Sequence, residues 1–112
     1  MPKENAAPGG TGMLLLSLLS RRDMYGYEMI ETLREKSENV FELKAGTLYP
    51  LLHTLEEKGY LTSWEQDAGG KTRKYYGLTK AGKKQLAKKE EEWKEYSRAV
   101  VKVLGGACHE YA

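Results

Sequence analysis

A mainly α-helical domain carrying one β-hairpin, with a long helix trailing from it, is the fold class the sequence predicts. Three observations carry that expectation. Apolar residues recur at helical spacing in three successive stretches before Gly59. Two β-prone runs, Tyr60 to Gln66 and Thr72 to Leu78, then flank a glycine-containing segment. Beyond Thr79, apolar residues step by seven from Leu86 to Trp93 to Val100 through a stretch otherwise rich in Lys and Glu.

Residues 1 to 12, "MPKENAAPGGTG", are rich in Pro, Gly and Ala and lack periodicity, so they read as a flexible leader. The first helix is expected from about Thr11, its candidate N-cap, to Arg21. Leucines occupy most of its sides, as in helices central to a core. The second helix is expected over roughly Tyr25 to Lys36. Tyr27, Ile30 and Leu33, with Met29, form its buried stripe, while Glu28, Glu31 and Glu35 face out. Ser37 to Leu43 connect it to the next element, with Asn39 as a turn residue.

The third helix holds "GTLYPLLHTLEEK", in which Leu48, Leu51, Leu52 and Leu55 share one face. Gly59 is its stop signal. Pro50 has no N–H to donate and crowds the carbonyl of Gly46, so either the helix begins close to Thr47 or its first turn is bent. A hairpin with a five-residue loop, Asp67 to Lys71, follows. Thr79 caps the fourth helix, which extends to about Leu104 before Gly105 and Gly106. The expected domains are therefore a leader over 1–12, a folded unit over 13–79, a helix over 80–104 and a tail over 105–112.

Composition narrows the function classes. The chain has 112 residues, enough for one domain with a modest core. The apolar run around "MLLLSLL" is too short to span a bilayer, and Arg21 and Arg22 follow it instead of a cleavage site. The single cysteine, Cys108, cannot form an internal disulfide. Together these features point to the cytoplasm and away from a membrane. Cys108 beside His109 is no coordination set and reads as part of a frayed tail, so neither a metal nor a cofactor is expected. His53 lies far in sequence from the adjacent Cys108 and His109, which argues against an enzyme.

"GGKT" at 69 to 72 looks like the end of a nucleotide-binding loop. Such a loop needs a glycine five residues before Gly70, so that backbone N–H groups can wrap the phosphates. Glu65 stands there instead, and its carboxylate repels phosphate. The charge pattern favours a different phosphate. From Ala68 to Lys89 there are eight positive and no negative charges in a chain of net charge +2.

Three helices followed by a hairpin is the order of a winged helix-turn-helix, whose third helix enters the major groove. Opposite its leucine face, that helix presents Gly46, Pro50, His53 and Glu57, flanked by Thr47, Tyr49 and Thr54. Lys44 precedes it, and the hairpin carries Lys71, Thr72, Arg73, Lys74 and Tyr75 as a wing. Each has a plain alternative: Tyr49 can cover the core edge, and His53 can be a solvated surface residue. Of the two wing tyrosines, Tyr76 is expected in the core and Tyr75 outward with Arg73. Tyr25 and Tyr27 flank the start of the second helix, where backbone N–H groups commonly hold a phosphate; Tyr27 is expected in the core.

Three stretches, "MYGYEMIETL" (24 to 33), "GTLYPLLHTLEEKGYL" (46 to 61) and "GGKTRKYYGLTKAG" (69 to 82), resemble the PadR family of bacterial transcriptional regulators. The resemblance spans about Met13 to Leu104. It implies a winged-helix homodimer that binds palindromic double-stranded operator DNA, usually as a repressor. It also implies that Tyr25, Thr47, Tyr49, Lys71, Arg73 and Lys74 contact DNA, and that the single long helix belongs to the short-tailed subgroup. Gly77 departs from the basic or polar residue common before "LT" in the family.

The expected dimer contact is the fourth helix, through Leu86, Trp93, Tyr96, Val100, Val103 and Leu104. Trp93 reads as an interface anchor. The resemblance adds a second role, because drug-responsive relatives have a tryptophan at the corresponding place, so a small planar aromatic effector would stack there. The rival reading is a winged-helix module for protein–protein contact, in which the basic run is incidental.

Overall fold

The computed structural model describes residues 10–105. Four helices and three strands run in the order α1 (Gly10–Arg21), β1 (Met24–Tyr25), α2 (Gly26–Lys36), α3 (Ala45–Glu57), β2 (Leu61–Ala68), β3 (Lys71–Leu78) and α4 (Lys80–Val103). This is the expected mainly helical domain with a hairpin. It also has one strand that the sequence did not announce: β1 pairs antiparallel with β3, giving the sheet order β1-β3-β2. The expected tail residues Cys108 and His109, and most of the expected leader, lie outside the described residues.

α1 begins at Gly10, so Thr11 lies inside its first turn and is not the N-cap, and residues 10 to 12 are helical rather than leader. Leu15, Leu16, Leu18 and Leu19 are all buried, which makes α1 the central helix. α2 buries Gly26, Met29 and Leu33. The expected stripe is therefore rotated, and Tyr27 is 60% exposed rather than core. Pairing of Tyr25 with Tyr75 in the sheet fixes the angle at which the chain enters α2, and that angle turns Met29 inward. The Tyr27 hydroxyl instead hydrogen-bonds the Glu31 carboxylate, which raises the tyrosine's pKa above its ordinary value.

α2 ends in a turn where Glu38 and Asn39 both take positive φ, 53° and 71°. Asn39 is the expected turn residue; its N–H reaches back to the Arg34 carbonyl at 2.8 Å. α3 starts at Ala45, two residues before Thr47, with Pro50 inside it. The N–H groups of Thr47 and Leu48 both converge on the Lys44 carbonyl at 2.9 Å, a tightened first turn. Leu48, Leu52 and Leu55 are buried in the core, where α3 packs on α2 and β2, with Leu51 at the margin.

The hairpin corrects the five-residue loop. Ala68 pairs with Lys71, leaving only Gly69 and Gly70 in the turn, at φ 61° and 82°. Two successive positive-φ residues make the turn whose twist matches the flanking strands, and glycine adopts both without a Cβ penalty.

α4 is rooted at its first turn. The Thr79 hydroxyl accepts from the Gly82 N–H at 3.0 Å and donates to the Gly59 carbonyl at 2.6 Å, so one side chain joins the α4 cap to the end of α3. A Cβ on Gly82 would sit 2.2 Å from the Tyr60 carbonyl oxygen and 2.7 Å from Leu78 Cδ1. Gly82→Ala is therefore expected to push α4 off the sheet. It should destabilise the fold by about 3 kcal/mol, read as a melting temperature lower by more than about 10 °C. An unchanged melting temperature would show that the α4 root yields more easily than this geometry allows.

Candidate nucleic-acid interface

The α3 residues expected to meet DNA lie on one open surface. Lys44, Gly46, Thr47, Tyr49, Pro50 and His53 are all exposed, on the side of α3 away from its leucine face. Tyr49 does two jobs in this arrangement. Its ring is 46% exposed, yet its hydroxyl rests over Gly26, where a Cβ would stand 2.3 Å away. Gly26 is thus the residue that lets the α3 tyrosine lie across the start of α2. His53 Nε2 lies 3.2 Å from Glu57 Oε2, one turn along α3, with both side chains largely in solvent. Such a pair contributes little stability and gives way readily to another partner.

The wing is joined to α3 beneath this surface. Ser63 Oγ on β2 donates to Glu56 Oε2 on α3 at 2.6 Å. Tyr76, in the core as expected, has its phenol pKa raised chiefly by burial, with Glu56 and Tyr49 close by. The Lys74 ammonium lies 5.6 Å from the Tyr76 ring centroid.

Strand alternation divides the wing cations. Thr72, Lys74 and Tyr76 share the face turned toward α3, whereas Lys71, Arg73 and Tyr75 share the other. Lys74 is thus the wing cation beside the α3 surface. Lys71 and Lys74 are exposed, and Arg73 and Tyr75 are half-buried. The Thr72 hydroxyl donates to Asp67 Oδ1 at 2.8 Å and braces the turn.

The outer face carries a feature the sequence reading missed. Tyr25, Tyr75 and Trp64 sit side by side on β1, β3 and β2. Tyr75 meets Tyr25 edge-on, with centroids 5.4 Å apart, and stacks on Trp64 at 6.4 Å with an interplanar angle of 17°. The Arg73 guanidinium lies 4.4 Å above the Tyr25 ring. The departure at Gly77 has its cause here. A Cβ there would lie 2.9 Å from Asp23 Oδ1 and 3.1 Å from Trp64 Cη2, so the tryptophan ring occupies the space a side chain would need.

The α4 residues divide into two groups. Leu86, expected at a subunit contact, is 8% exposed and belongs to the chain's own core. Trp93, Tyr96, Val103 and Leu104 are 41%, 36%, 85% and 52% exposed. The Trp93 and Tyr96 rings lie 5.7 Å apart. Trp93 also lines a groove of about 320 Å³ between α4 and α1, with Met13, Leu14, Ser17, Glu90 and Lys94. Among the described residues no helix is long and apolar enough to cross a membrane.

Comparison with known proteins gives this geometry its context. The profile of the transcriptional regulator PadR-like family matches residues 15–88. A transcriptional regulator of Mycobacterium tuberculosis is 37% identical over 76 residues, 68% of each chain. The crystal structure of a PadR family transcription regulator from Clostridium difficile is 37% identical and superposes with a TM-score of 0.75, covering 83% of this chain and 96% of that one. The structure of Bacillus subtilis PadR in complex with operator DNA is 28% identical with a TM-score of 0.62, over 68% of this chain and 44% of that one. The fold is that of a PadR winged helix, and family members are transcriptional regulators rather than enzymes. This chain belongs to the PadR-like family of transcriptional regulators.

Proposed function

We propose that the protein is a repressor that acts in the cytoplasm and binds a palindromic operator as a homodimer. α3 lies in the major groove and the wing rests on the backbone. The observation that carries this reading is the open surface of Lys44, Gly46, Thr47, Tyr49, Pro50 and His53, bounded by the wing and its Lys74. Side chains of these types supply both base-edge hydrogen bonds and phosphate contacts. The Bacillus subtilis relative solved in complex with operator DNA supports DNA as the partner.

The test is binding to duplex DNA as a function of salt. A protein that neutralises several phosphates loses affinity linearly in log–log form. Lys74→Gln and Lys71→Gln are each expected to lower the slope by roughly one unit and to weaken all sequences alike. Absence of duplex binding would favour a protein–protein module instead.

The groove beside Trp93 supports an effector as well. A planar aromatic compound stacked on Trp93 gains roughly 0.5–1.5 kcal/mol per ring pair beyond area burial. Shifting α4 would alter the separation of the two recognition helices, and half-sites one helical turn apart tolerate little change. Titrated with planar aromatics, a Trp64→Phe protein should show quenching of Trp93 together with weaker DNA binding. Both effects should vanish in the Trp93→Ala form. Quenching that leaves operator affinity unchanged would reduce Trp93 to an interface anchor.

A further inference from the structure

Arg73 is the wing cation whose place is set by a ring from another strand. Its guanidinium carbon lies 4.4 Å from the centroid of Tyr25, within the range for attraction between a cation and the negative face of an aromatic ring. It forms no ion pair among the described residues, so its N–H edge is uncommitted to any carboxylate. Tyr25, in turn, is held from several sides. Its backbone pairs with Tyr75, its N–H donates to Glu28 Oε1 at 3.2 Å, and its ring is braced edge-on by Tyr75. Tyr75 is backed by Trp64 on the far strand. Three strands thus contribute one ring each to a row, and the arginine lies over the last of them.

A free arginine side chain samples many rotamers, and ordering it on binding offsets much of what a phosphate contact contributes. An arginine already lying across a fixed ring has lost most of that freedom before DNA arrives. The contact with the ring face leaves the N–H groups turned away from the ring for a phosphate oxygen. Loss of the ring would leave the charge on the protein but no longer hold it in one place.

We propose that Tyr25 is a positioning residue for DNA binding. The face of its ring holds the Arg73 guanidinium so that the N–H edge meets the DNA backbone, and this hold, rather than a contact from the phenol hydroxyl, is what Tyr25 contributes. The inference rests on the reading that Arg73 meets a phosphate. It also changes the role the family resemblance implied for Tyr25, from direct contact to support.

The experiment measures the salt dependence of binding to one operator duplex, using the full chain and variants checked for folding by thermal melting. Arg73→Gln should lower the log–log slope by roughly one unit. Tyr25→Leu should lower it toward the same value, and the double variant should fall no further than Arg73→Gln. Tyr25→Phe, which keeps the ring and loses the hydroxyl, should keep the wild-type slope. Pentafluorophenylalanine at position 25 keeps the ring's shape but removes the negative face, so its slope should resemble that of Tyr25→Leu; this arm decides the matter if Tyr25→Leu does not fold. An unchanged slope in Arg73→Gln would refute the phosphate reading of Arg73 itself. A lowered slope in Arg73→Gln with a wild-type slope in Tyr25→Leu or in the fluorinated form would overturn the positioning role alone. Loss in Tyr25→Phe equal to that in Tyr25→Leu would assign the work to the hydroxyl, and uniform weakening without a slope change would make Tyr25 merely structural.

Discussion

A chain shortened to residues 1 to 89 is expected to sediment as a monomer and to bind operator duplex at least about 100-fold more weakly than the full chain. The magnitude follows from linkage: joining two half-site contacts in one particle raises overall affinity by roughly 10²–10⁴ without a new contact. The cut keeps the buried root of α4 and removes Glu90, Trp93 and Lys94, which line the groove against α1. Gly82 and Leu86 are the only buried residues of α4, and both lie before the cut. The Thr79 cap also remains. The exposed large apolar side chains of the α4 segment, Trp93, Tyr96, Val103 and Leu104, all lie beyond the cut. An apolar patch of that kind at the free end of a helix marks an interaction surface. A shortened chain that still sediments as a dimer would move the subunit contact elsewhere.

The second large effect is expected on α3. Thr47→Ala and His53→Ala should change which operator is preferred, by about tenfold to a hundredfold at single base pairs. Both side chains stand in solvent on the helix surface away from the core, so their removal should leave the fold intact. Among the described residues His53 pairs only with Glu57, an exposed partner it can release to meet a base edge. The signature that separates these changes from the wing variants is the salt slope: recognition changes alter sequence preference, and wing changes alter the slope. Equal losses on every sequence would place Thr47 and His53 on the backbone instead.

Helix order, the leucine face of α3 and the Thr79 cap were legible because each is set by a local pattern. Leu48, Leu52 and Leu55 repeat at helical spacing and are buried at that spacing. What escaped reading depended on register. A loop of five residues would close Gln66 on Thr72 and set Trp64 opposite Lys74. The two-glycine turn shifts the pairing by one, and Trp64 faces Tyr75 instead. The whole aromatic row on the outer face follows from that single shift. The Gly-Gly pair was the available signal, since it favours a two-residue hairpin turn.

β1 could not be read from periodicity, because a strand of two residues has none. It matters nonetheless, since its pairing with β3 sets the phase of α2, buries Met29 and exposes Tyr27. Leu86 misled for another reason. Its seven-residue step to Trp93 is real, but the first residue of the series lies where α4 still touches the domain. A repeat along one helix can therefore run from the buried core at Leu86 to the half-exposed Trp93.

The central claim is that two copies of this chain read a symmetric DNA site through α3. Selection of bound duplexes from a random library, followed by sedimentation of the selected complex, tests it most directly. The expected result is a sequence with two-fold symmetry, its half-sites centred about one helical turn (roughly 10 bp) or a multiple of it apart, bound by two chains and released at high salt. No enriched sequence, or an asymmetric one bound by a single chain, would contradict it.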